Sequence, residues 1–159
     1  MSQVHEVTVQ RRIQATPEAV WEVLTDLDHA VARLSQVTEL HRITPDPYDV
    51  GTRWRETRRM LGSSESQELE VVESVPLRRT VTEAVDGGTT YRTTMVLESL
   101  DDAVATLVTA TFSATTVGDQ TGLRRLALRV IGPLGLKLTE KSIRTELEDI
   151  AAAAEQIDR

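Results

Sequence analysis

The chain contains no cysteine and no asparagine, two lysines against sixteen arginines, and five aromatic residues among 159. The missing cysteines exclude a disulfide framework and thiolate metal sites, and suit a reducing cytoplasm, the expected location. Long apolar runs are absent too. The longest, Leu126 to Leu138, is broken by Arg129 and Lys137 and is shorter than the roughly 20 residues a membrane-spanning helix needs. Basic charge is scarce: the formal net charge is −7, which argues against nucleic acid as a partner because phosphate binding needs a concentrated basic face. No basic region followed by an apolar stretch opens the sequence, so no secretion signal is expected. His5, His29 and His41 stand at no metal-ligand spacing and read as surface or loop residues, so neither metal nor cofactor is expected. Serine-hydrolase elbows, P-loops and dinucleotide fingerprints are missing as well.

What is present reads as one domain over residues 1–159, long enough to bury a core without staples. Val7 to Ile13 alternates as a strand, with Val7, Val9, Arg11 and Ile13 on one side. Thr16 is the expected N-cap of a helix from Pro17 to about Thr25, with Val20, Trp21 and Leu24 on its apolar face. A second short helix is expected over His29 to Leu34, then strands over Val37 to Ile43 and Thr52 to Met60, separated by the turn-rich segment Pro45 to Gly51. An antiparallel meander follows: Gln67 to Val75, Arg78 to Val85, Tyr91 to Glu98 and Val104 to Ala114. Asp86, Gly87 and Gly88 form its strongest hairpin signal. Six or seven strands result. In the tail, Leu136, Ile143, Leu147, Ile150, Ala154 and Ile157 recur at helical spacing, with Glu146, Glu148, Asp149 and Glu155 read on the other side. Pro133 predicts a kink or a fresh helix start between Gly132 and Gly135.

This order of elements resembles the START-like (SRPBCC) superfamily, the polyketide cyclase/dehydrase and lipid transport family. The matching residues are IQATPEAVWEVLTD at Ile13 to Asp26, VGTRW at Val50 to Trp54, and the terminal helix ending near Glu155. The resemblance implies an α+β helix-grip fold: a curved antiparallel sheet wrapped around a long C-terminal helix, with two short helices after the first strand. It also implies an internal cavity for lipids, polyketides or other apolar molecules. Fold alone assigns no reaction.

Strand parity then nominates the cavity wall. Trp54, Glu56, Arg58 and Met60 share one side of their strand, and the apolar members predict that it faces inward. Tyr91, Thr93 and Met95 share a side of a later strand, Arg11 lies on the apolar side of the first, and Leu136, Ile143 and Leu147 belong to the inner stripe of the last helix. Arg58 is the best candidate anchor for a ligand carboxylate, against the plainer alternatives that Glu56 and Arg58 merely pair or face solvent.

Three functions stay open. The favoured one is a binding module for a small hydrophobic or amphipathic molecule. The second is a cyclase or dehydratase with Glu56 as base and Arg58 or Tyr91 stabilising an enolate. The third is a co-chaperone-like interaction domain. The basic and apolar residues between Leu123 and Leu138 could give transient membrane contact, although a helix closing the sheet would need the same pattern.

Overall fold

The computed structural model describes residues 2–60, 62–117 and 133–159. β1 (Ser2–Ile13) is followed by α1 (Pro17–Thr25), a 3-10 turn (Leu27–His29) and α2 (Ala30–Arg33). Six strands come next: β2 (Val37–Arg42), β3 (Arg53–Met60), β4 (Ser63–Val75), β5 (Arg79–Asp86), β6 (Thr89–Leu100) and β7 (Ala105–Val117). A long helix, α3 (Pro133–Ile157), completes the fold.

All seven strands pair antiparallel in the order β1-β7-β6-β5-β4-β3-β2. Consecutive strands neighbour one another from β2 to β7, and β1 joins the far edge through the register Ser2↔Val117 to Ile13↔Thr106. That ladder explains why β1 starts at Ser2 rather than Val7: β7 offers it hydrogen-bond partners beyond the alternating apolar stretch. β4 likewise begins at Ser63 rather than Gln67, because Ser63 pairs with Met60 of β3.

Local chemistry sets the element boundaries. Thr16 is extended (φ −67°, ψ 155°), and its Oγ1 accepts a hydrogen bond from the Ala19 N–H at 3.2 Å, capping α1 with Pro17 at its first turn. α3 begins at Pro133, inside the span expected to hold a kink or a fresh helix start, and Gly132 before it lies outside the described residues. The centre of α1's buried face is Val20 and Val23, while Trp21 and Leu24, expected on that face, are half-buried against its margin.

The curved sheet packs its inner face on α3 and α1. Val9 and Ile13 of β1, Leu97 of β6, Val108 of β7 and Leu147 and Ile150 of α3 meet in the largest core cluster. Ala151 and Ala154 are fully buried in it and let the helix lie close to its neighbours. Hydrogen bonds fasten α3 at two levels. The Ser35 N–H and hydroxyl both donate to Asp149 Oδ2, at 2.9 and 2.7 Å, and Gln36 Nε2 donates to the Ser142 carbonyl at 2.9 Å. Near its C-terminal end, Glu155 Oε1 accepts from the Gln14 N–H at 3.1 Å and Asp158 Oδ2 from the Thr16 N–H at 2.6 Å.

Candidate functional site

Between the sheet, α2 and the middle of α3 lies a partly open cavity of about 150 Å³. Val23, Leu24 and Leu27 close it from the first helical region, Leu40, Trp54 and Leu69 from β2 to β4, and Met95, Ala110 and Phe112 from the sheet centre. Thr139, Ser142, Ile143, Glu146 and Ile150 of α3 form the opposite wall. The lining is mainly apolar, as a cavity for an apolar ligand requires.

The loop between β2 and β3 supplies Tyr48, and the VGTRW segment fixes that loop. Gly51 adopts φ +94°, a conformation costly for a residue with a Cβ. Its N–H donates to the Val71 carbonyl at 2.9 Å, while the Val71 N–H donates to the Thr52 carbonyl at 2.9 Å. Buried Thr52 accepts the Asp49 N–H on its Oγ1 at 2.9 Å. Tyr48 is thereby held beside Trp54 (ring centroids 6.4 Å apart, 39° between planes) and edge-on to Trp21 (6.4 Å, 83°). Its hydroxyl hydrogen-bonds Thr80, and burial, partly offset by that bond, raises its pKa.

A chain of polar contacts crosses the cavity wall. Trp54 Nε1 donates to Glu56 Oε2 at 3.2 Å, Arg58 Nε donates to Glu56 Oε1 at 3.1 Å, and Arg58 Nη2 donates to Glu146 Oε1 at 3.1 Å. The pleat of β3 places Trp54, Glu56 and Arg58 on one face, and α3 brings Glu146 down from above. Burial of Arg58 disfavours its charge, but the carboxylates of Glu146 and Glu56 outweigh that and push its pKa above the ordinary value. Asp26, the other charged wall residue, is engaged by Arg33 Nη1 at 3.2 Å and His29 Nδ1 at 2.6 Å. Among the described residues no group of acidic and histidine side chains could hold a metal ion.

The structure brings together Trp54, Glu56, Arg58, Thr93, Met95 and Ile143 in the cavity wall. Glu56 and Arg58 both face inward and pair, which agrees with the pairing alternative and not with the solvent-facing one. Others lie elsewhere. Arg11 has the inward parity but is exposed, because β1 is the sheet edge and a long side chain there reaches water past the helix. Tyr91 is buried one strand position beyond the wall, stacked on Phe112 (centroids 6.2 Å apart, 26°), and Leu147 is core rather than wall. Leu136 is half-buried and outside the wall, and the Met60 side chain lies outside the described residues, as does most of the segment Leu123 to Leu138. His5 is not a surface or loop residue: it sits within β1, half-buried, with Nε2 sealed from solvent.

Glu146 is the residue the sequence reading misplaced. Expected on the polar side of α3, it stands three residues after Ile143 and four before Ile150, which puts it on the inner stripe. Tyr48 and Phe112 were not singled out; Phe112 had a parity signal and Tyr48 had none.

No helix among the described residues is long and apolar enough to cross a membrane. No curated protein sequence shows significant similarity to the chain. Solved structures do. An aromatase/cyclase (Zhui) from Streptomyces sp. R1128 superposes with TM-score 0.80 at 16% identity, covering 99% of this chain and 97% of that one. A START superfamily protein from Mycobacterium smegmatis gives 0.75 at 14% identity, covering 96% and 99%. A norcoclaurine synthase from Thalictrum, in complex with a transition-state analogue, gives 0.70 at 11%, covering 100% and 99%. At these identities the likeness concerns the fold. The family described as polyketide cyclase / dehydrase and lipid transport matches residues 4–155, nearly the whole chain, and together with the helix-grip architecture this establishes that the protein is a START-like member of that family.

Proposed function

We propose that the protein binds a small apolar or amphipathic molecule between the sheet and α3. The observation that carries this reading is the mainly apolar cavity of about 150 Å³, walled on two sides by α3 and β3 and partly open to solvent. An apolar cavity of that order accommodates about one six-membered ring, so a larger ligand would extend through the opening. The charged wall groups Asp26, Glu56, Arg58 and Glu146 are each engaged by a neighbour, which suits orientation of a ligand rather than its solvation.

The cyclase/dehydratase alternative has less support. Both Glu56 oxygens are taken by Trp54 and Arg58, leaving no free base there, and Tyr91 stands outside the wall. A partner-docking role draws no support from the described residues, whose exposed aliphatics, among them Val4, Val31, Ile43, Val85 and Val104, are spread over separate elements and loops. Native mass spectrometry of protein from its own source tests the binding reading. A specific co-purified small molecule, or saturable uptake of a neutral one-ring probe, is the expected result; empty protein that takes up no probe overturns it.

A further inference from the structure

The charge balance of the cavity wall runs against an anionic ligand. Arg58 is the cation that an incoming carboxylate would seek, yet Glu56 and Glu146 already engage it through Nε and Nη2. One guanidinium between two carboxylates leaves a surplus negative charge in a partly buried place. The other charged wall residue, Asp26, is matched by Arg33 from outside the lining and so contributes no free cation.

The surplus has a geometric outlet. Glu56 is closed on both oxygens, whereas Glu146 gives only Oε1 to Arg58, and its Oε2 accepts no hydrogen bond from any described residue. Glu146 belongs to the cavity wall, and so do the rings of Tyr48 and Trp54, whose faces attract cations through their quadrupole. An acid with an uncommitted oxygen and two aromatic rings around one small apolar space is the chemistry that retains an organic ammonium group.

We infer that the cavity selects small aromatic or aliphatic amines in their protonated form over neutral and anionic analogues, with Glu146 accepting from the ammonium group. This inference rests on the binding function proposed above and adds the charge of the ligand to it. Arg58 then acts by holding Glu56 and Glu146 in place, not by greeting a ligand carboxylate.

Benzylamine, benzyl alcohol and benzoate share one ring and differ in charge, which makes them suitable probes for a cavity of this size. Titration of the intact chain with each, followed by amide chemical shifts at neutral pH and low salt, should rank amine before alcohol before acid. The amine should lead the alcohol by about tenfold or more in Kd. Glu146→Gln should collapse that lead to within about threefold, whereas Glu148→Gln, an exposed acid on the same helix, should preserve it. If the alcohol binds as tightly as the amine, or benzoate binds best, the charge selection is overturned while the cavity reading survives. If none of the three perturbs residues of the wall, both fall.

Discussion

Trp54 Nε1 donates to Glu56 Oε2 at 3.2 Å, joining two residues one pleat apart on the inner face of β3. With Arg58 on its other oxygen, Glu56 is fully engaged although only 5% of its surface is exposed. A carboxylate in an otherwise apolar wall is tolerable under these conditions and under few others.

Removing the cation should therefore cost more than removing the whole group. Arg58→Met leaves two buried or half-buried acids without a counter-charge and is expected to destabilise the fold by about 3–5 kcal/mol. Adding Glu56→Gln and Glu146→Gln to that variant should recover most of the loss. Urea unfolding of the single and triple variants measures this, and an Arg58→Met effect below about 1 kcal/mol would show the triad to be electrostatically idle.

Two neighbouring α3 residues should respond differently to truncation. Leu147, 1% exposed in the core, should lose about 2–5 kcal/mol on change to alanine. Ile143 faces the cavity, so its change to alanine should fall at or below the lower end of that range and admit a bulkier apolar probe than the parent does. Unfolding midpoints and probe titrations of the two variants separate these roles.

Tyr91 should give the protein an alkaline limit. Burial first, and the charge of Asp86 second, push its pKa up to about 12, with nearby Thr89 pulling the other way. The folded pKa lies above the unfolded value of about 10, so the folded state favours the neutral phenol. Its contribution is complete below the unfolded value and is lost as the pH climbs toward the folded one. The hydroxyl forms no well-aligned hydrogen bond despite its proximity to Thr89. Tyr91→Phe should accordingly leave stability at neutral pH within about 1 kcal/mol, or raise it, and flatten the alkaline decline of thermal midpoints. An unchanged decline would assign it to other groups.

The turn from β6 to β7 holds three consecutive non-glycine residues in the left-handed region: Asp101 (φ 50°), Asp102 (φ 57°) and Ala103 (φ 70°). That conformation costs L-residues roughly 1–2 kcal/mol each. Ala103→Gly is expected to stabilise by up to about 1 kcal/mol after the entropy of the freer unfolded chain is set against the relief. Ala103→Val should destabilise, because β-branching worsens the clash. Thermal denaturation of the pair reads out both signs.

Much of the fold was legible because it rests on local chemistry. Thr16 with Pro17, the Asp86-Gly87-Gly88 turn and the alternation of β3 each act within a few residues, so pattern alone located α1, the β5–β6 hairpin and the inward face carrying Trp54, Glu56 and Arg58. The site was only partly legible because its remaining members depend on distant partners. Tyr48 reaches the cavity through bonds from Gly51 and Thr52 to Val71 on another strand, which no spacing announces. Glu146 was misread because residue type outweighed position: an acid on the inner stripe makes sense only once Arg58 is opposite it. Arg11 failed for the converse reason, since parity says nothing about where a sheet ends.

The hydrogen bonds that fasten α3 span sequence separations of 106 to 142 residues, and the side-chain contacts of β1 with β7 span about as many. Few of these can form until both ends of the sequence are available, so the cavity is a late product of folding rather than a pocket carved into an early intermediate. Loop-closure entropy must be met before such contacts reward it, and domains of this kind fold in roughly milliseconds to seconds. Stopped-flow refolding should place the protein in that range, with Asp149→Ala altering chiefly the unfolding rate. A ligand offered during refolding should then bind the finished molecule and leave the folding rate unchanged.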